Sequence, residues 1–137
     1  MIENDKDFKT WIAENSYKDL KVIIAGGRDF NDYDFLETRC DVLLQEKETK
    51  YNIIIISGTA RGADSLGERY AQNKGYKLEK YPAQWNKYGK SAGYKRNQQM
   101  AKITDALIAF WDGESKGTSH MINIMKSENK KFRIIKY

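Results

Sequence analysis

Short runs of consecutive apolar residues alternate along this chain with longer segments whose apolar positions recur every three or four residues. The clearest runs lie within 21–25 (KVIIA), 52–56 (NIIII) and 105–110 (DALIAF), with weaker ones at 76–80 and 131–135. An unbroken apolar run of this length reads as a strand buried on both faces, the signature of a parallel sheet. The segments between them read as helices at 32–47, 63–73, 93–103 and 118–127. In the first, Leu36, Cys40, Leu43 and Leu44 fall on one face and Asn31 or Asp32 supplies the N-cap. In the second, Leu66 and Tyr70 share a face and Gly75 closes the helix. A further amphipathic helix is predicted at 5–15 from the spacing of Phe8, Trp11 and Ile12.

Strands alternating with helices predict an α/β fold of three layers: a five-stranded parallel sheet with helices on both faces and right-handed crossovers. The expected strand order is 3-2-1-4-5, with the N-terminal helix as an addition. In that order the chain changes direction across the sheet between the first and fourth strands, and ligands bind outside the carboxyl ends of the strands at such a switch point. Residues 1–20 are assigned to an N-terminal helical extension and 21–137 to a single binding domain.

Glycines give that crevice its chemistry. Six of the ten glycines sit in three segments that follow apolar runs: GGRDF at 26–30, SGTARGAD at 57–64 and DGESKGTS at 112–119. A glycine-bearing turn leading into a helix lets backbone N–H groups close on an anion. Three such turns at one sheet edge point to a phosphate-bearing ligand. Neither GxGxxG nor GxxxxGK[ST] occurs, so neither a dinucleotide fingerprint nor a Walker A loop explains them.

Composition narrows the options further. The 137 residues are 40% hydrophobic and 31% charged, ordinary values for a soluble domain, and MIENDKDFKT has no apolar core of a signal peptide, so a cytoplasmic location is expected. One cysteine and one histidine exclude a disulfide or a Cys/His zinc cluster within the chain, and no metal site is expected. Cys40 reads as a buried thiol and His120 as a surface or capping residue. The net charge of +5 allows an anionic partner. Between 87 and 102, Lys87, Lys90, Lys95, Arg96 and Lys102 interleave with Tyr88 and Tyr94. That pattern fits either a single-strand nucleic-acid surface or a solvated helix face.

The motifs GGRDF, SGTARGADSLGERYA, YPAQWNKYGKSAGYKRNQQM and KGTSHMI, taken in order over about residues 21–135, resemble the YspA/YpsA-related branch of the SLOG superfamily. That superfamily also contains Smf/DprA and the LOG phosphoribohydrolases. The resemblance implies a Rossmann-like fold that binds a nucleotide or nucleotide derivative, and pairing into a homo-oligomer. Gly26 and Gly27 would let the backbone approach the ligand, with Arg28 as a fork for phosphate or a wall for a base. Ser57, Gly58 and Thr59 offer hydroxyl and N–H donors, with Arg61 beside them. Asp64 fits a ribose contact, a base, or a cap of its own helix. Trp85 and Tyr88 would cover a base or anchor their loop. Arg96 and Asn97 match the family's polar site positions, and Gly117 with Thr118 opens the last helix toward an anion.

One departure bears on catalysis. LOG enzymes carry PGGxGTxxE, whose glutamate assists glycosidic cleavage. This chain reads DGESKGTSHM, which sets Met121 at the glutamate position. A thioether is neither an acid nor a base. The favoured reading is therefore a binding or sensing domain. A hydrolase using Asp64, Asp112 or Glu114 is the first alternative, and a DprA-like single-stranded DNA binder the second.

Overall fold

The computed structural model describes residues 17–137. Five strands form one parallel sheet, β1 (Lys18–Gly26), β2 (Tyr51–Ser57), β3 (Lys77–Lys80), β4 (Ala106–Trp111) and β5 (Lys131–Lys136), in the order β3-β2-β1-β4-β5. This is the order expected from the sequence. The helices are α1 (Tyr33–Leu44), α2 (Ala63–Lys74), α3 (Trp85–Tyr88), α4 (Ala92–Ile103) and α5 (Lys116–Ser127), with short 3₁₀ turns at Lys47–Thr49 and Gly89–Ser91. The helix expected at 5–15 lies outside the described residues. Among the described residues no helix is long and apolar enough to cross a membrane.

Alternation along the central strands divides the core. Val22, Ile24, Ile53, Ile55 and Ile108 face α1 and α2, where they meet Leu36, Cys40, Leu44 and Tyr70. Ile23, Ile54, Ile56 and Leu107 face α4 and α5, where they meet Met100, Ala101, Met121 and Met125. Both faces are covered, which is why the middle strands read as apolar runs. Close helix contact is made possible at Gly67, where a Cβ would lie 2.8 Å from the Ile24 side chain.

Helix ends follow local rules. The Asp32 carboxylate accepts from the Phe35 N–H at 3.1 Å and caps α1. Gly75 ends α2 at φ 75°. Burial pushes the Cys40 thiol up to about 12, so it is an inert core residue.

Several boundaries differ from expectation, among them the end of α1, which stops at Leu44 rather than 47 and is followed by the 3₁₀ turn at Lys47–Thr49. β1 begins at Lys18, pairing Lys18 with Tyr51 and Asp19 with Asn52, so the sheet reaches three residues into the segment assigned to the extension. The connection after β3 is not irregular throughout, since it holds α3 and a 3₁₀ turn. α5 starts at Lys116, with Ser115 at the N-cap, which places Gly117 and Thr118 inside its first turn.

Candidate functional site

At the end of β1, glycine is required by proximity. A Cβ on Gly26 would collide with the Phe110 carbonyl of β4. The Gly27 N–H donates to that carbonyl at 3.1 Å, and the Gly27 carbonyl accepts from Phe30 N–H at 3.3 Å and Ala63 N–H at 3.1 Å. The first loop is thus tied to β4 on one side and to the start of α2 on the other. Gly62, at φ 79°, completes the junction, because a side chain there would strike the Gly27 carbonyl and the Arg28 backbone. Arg28 projects from this fixed loop and is exposed.

Beyond β2 the polar residues divide between two directions. Ser57 is fully buried and its hydroxyl donates to Glu68 at 2.7 Å while accepting the Thr59 N–H at 3.0 Å. It therefore stabilises the β2–α2 turn. Thr59 holds a left-handed φ of 64°. Asp64 is 5% exposed and accepts the Ala60 N–H at 3.1 Å. Burial pushes its carboxyl up to about 6, against the opposing pull of that N–H and of Arg96 and Arg28.

Arg96 and Asn97 come from the first turns of α4. The Arg96 guanidinium donates to the Gly58 carbonyl, and its Nε donates to Asn97 Oδ1 at 3.1 Å. Burial lowers the Arg96 pKa from its ordinary value while Asp64 acts to raise it. Asn97 is buried, and its amide donates to the Gly117 carbonyl at 3.3 Å and lies 3.2 Å from His120 Nδ1. This side chain links α4 to α5.

The β4–α5 loop is held by Asp112. Its Oδ1 accepts the Glu114 and Ser115 N–H groups at 2.8 and 2.9 Å, which keeps the carboxyl below its ordinary range. Thr118 is buried, with its hydroxyl 3.1 Å from that of Ser115. Met121, one turn further on, is 2% exposed and belongs to the core layer that holds Met100 and Met125, while its surface lines the cleft.

These elements enclose a cleft of about 430 Å³ at the carboxyl ends of the strands. Gly26, Gly27, Arg28, Arg61, Asp64, Arg96, Asn97, Gly117 and Thr118 all line it. Gly58 and Thr59 line an adjoining cleft of about 440 Å³ roofed by Trp85, and the two clefts share Arg28, Ala60, Arg61 and Arg96. Ser57 lines neither. Glu114 is exposed and sits in a separate depression with Tyr94, Trp111 and His120. Met100 is a wall residue that sequence reading passed over. Its signal was available, because it lies four residues after Arg96 on the same helix face.

A family model described as the YspA, cpYpsA-related SLOG family matches residues 20–88. Gene 61 protein of Mycobacterium phage D29 is 35% identical over 107 residues, which cover 73% of this chain and 83% of the phage protein. Among solved structures, DNA processing protein A (DprA) from Streptococcus pneumoniae superposes with a TM-score of 0.65 at 16% identity, over 85% of this chain. The chain spans only half of that DprA chain. The structural-genomics target TM1055 superposes with a TM-score of 0.57 at 16% identity, over 84% of this chain and 72% of its own. At such identities the two structures bear on the fold alone.

Proposed function

The chain belongs to the YspA, cpYpsA-related SLOG family, and from that premise we propose that it binds a nucleotide or nucleotide-derived ligand in the cleft at the carboxyl ends of β1, β2 and β4. The observation that carries this reading is the convergence of three glycine-bearing loops, from three strands, on a cleft that also holds Arg28, Arg61 and Arg96. Guanidinium groups meet phosphate oxygens with charge-assisted bonds, and the first turn of α5 adds backbone donors at Gly117. In this reading Asp64 would meet a ribose hydroxyl or a base edge, and Asn97 would hold Arg96 and the start of α5 in position around the ligand.

Binding is preferred over LOG-type hydrolysis because of Met121. The position where the LOG pattern has its glutamate lies in this cleft and carries an apolar thioether. Calorimetry with AMP, ADP and ATP tests the reading. Saturable heat is expected, and the absence of both heat and a thermal shift with every nucleotide would contradict it.

A second reading, binding of single-stranded nucleic acid, draws on one specific observation. Trp85, Tyr88 and Tyr94 are exposed large aromatics, and the ammonium groups of Lys87 and Lys95 lie 5.1 and 4.8 Å from the Tyr88 ring centre. Fluorescence anisotropy with a labelled oligonucleotide separates the two readings.

A further inference from the structure

Resting on the nucleotide-binding reading, we infer that Tyr137 is a positioning residue for Arg28. Seated against Gly27 and bonded to Asp29, it holds the loop after β1 where Arg28 reaches the ligand's phosphate.

Tyr137 directly follows β5, whose last residue, Lys136, pairs with Trp111 of β4. Its ring lies 4.7 Å from that of Phe30 at a tilt of 52°, and Phe30 in turn stacks on Phe110 of β4 at 5.1 Å. The hydroxyl donates to Asp29 Oδ1 at 2.8 Å. A side chain from the far end of the chain thus reaches the loop of the first strand, 108 positions away.

Gly27 is shaped to this contact. Its backbone is not left-handed, so conformation alone admits other residues there. A Cβ at this position, however, would fall on the Tyr137 hydroxyl and lie 2.9 Å from Asp29 Oδ1. The room that a second glycine suggests for a ligand is filled by the tyrosine.

The loop needs such a stop. Asp29 lines both the first cleft and a separate cavity of about 400 Å³ that Phe30, Asp32, Phe35 and Tyr137 also wall, so the loop is a partition between two open spaces. Arg28 is exposed, and among the described residues no ion pair restrains it. Its place therefore depends on the backbone that carries it. Hydrogen bonds from Gly27 tie that backbone to β4 and α2. Tyr137 supplies the remaining tie, touching the residues on either side of Arg28. A loop that spends only a fraction of its time in the binding arrangement weakens the ligand by that fraction.

One test needs no ligand. Gly27→Ala should lower the midpoint of chemical denaturation in the parent and do so much less in Tyr137→Ala or Tyr137→Phe, where the hydroxyl that meets the new methyl is gone. An equal loss in all backgrounds would overturn the fitted pair. Calorimetry with ADP on the full chain reads the positioning role. Tyr137→Ala should weaken ADP by at least about fivefold. Tyr137→Phe, which keeps the ring on Phe30 and the fold with it, should weaken ADP by at least about twofold. Arg28→Ala should cost at least about tenfold, and adding Tyr137→Ala to it should cost little more, because the tyrosine acts through the arginine. Additive losses, or parent affinity in either Tyr137 variant, would overturn the positioning role while leaving nucleotide binding intact. A parent that binds no ADP would remove the nucleotide reading and the role of Tyr137 in it, with the fit to Gly27 still decided by denaturation.

Discussion

Asp64 is the residue whose environment has the most measurable consequence. Its carboxyl titrates near 6 in the fold against an ordinary 3.8. Between these values the folded protein keeps a proton that the unfolded chain has released, so stability falls as pH rises through the window from about 4 to about 6. Above it the cost is on the order of 3 kcal/mol. Asp64→Asn, which keeps an acceptor for the Ala60 N–H, is expected to be more stable than the parent at pH 8 and to flatten this slope, as read by chemical denaturation at several pH values. A loss of stability of the same size at pH 4 and pH 8 would show that the carboxyl is not strained. For Arg96→Ala, nucleotide binding is expected to weaken by about 1.5–3 kcal/mol through loss of a charge-assisted bond, measured by calorimetry. With Met121 in the cleft, incubation with nucleoside monophosphates should release no free base above background by chromatography. Robust release abolished by Asp64→Asn would show that Asp64 carries out hydrolysis. At this scale the sequence disclosed which residues are polar and near the sheet edge, but not which way each points. Ser57 stands in a donor-rich motif, yet its hydroxyl is taken up by Glu68, a partner eleven positions away that motif spacing does not reveal.

Among the elements, α2 depends on one glycine. Replacing Gly67 with alanine would favour an isolated helix by about 0.5–1 kcal/mol, but here the new methyl would press on Ile24, and overpacking costs about 1–3 kcal/mol. The packing term is the larger, so Gly67→Ala is expected to lower stability in denaturant titration. A net gain would mean that α2 is free to lift from the sheet. The strands and long helices were legible because their periods of 2 and 3.6 persist over enough residues to be read. Shorter features were not. α3 spans only Trp85–Tyr88, about one turn, and its flanks at Pro82 and Gly89 read as loop. The polar opening of β1 at Lys18 and Asp19 was hidden for a related reason, since that strand end lies at the exposed margin of the sheet and carries no apolar signal.

For the whole molecule, topology rather than sequence proximity makes the site. The order β3-β2-β1-β4-β5 brings the loops after β1, β2 and β4 to one edge, although they are separated by dozens of residues in the chain. This assembly was foreseeable, because the apolar runs dictate a parallel sheet and the switch point follows from its order. The division of the crevice into a carboxylate-bearing half and an arginine-lined half was not, since it depends on where α3 and α4 set Trp85 and Arg96. The central claim is that this edge receives a nucleotide, and backbone amide NMR of the labelled protein titrated with ADP tests it most directly. The account expects saturable shifts clustered at Gly27, Gly58, Arg96 and Gly117, with the outer strand residues Lys131 and Phe132 unmoved. Shifts confined to other surfaces, or none at millimolar ADP, would contradict it.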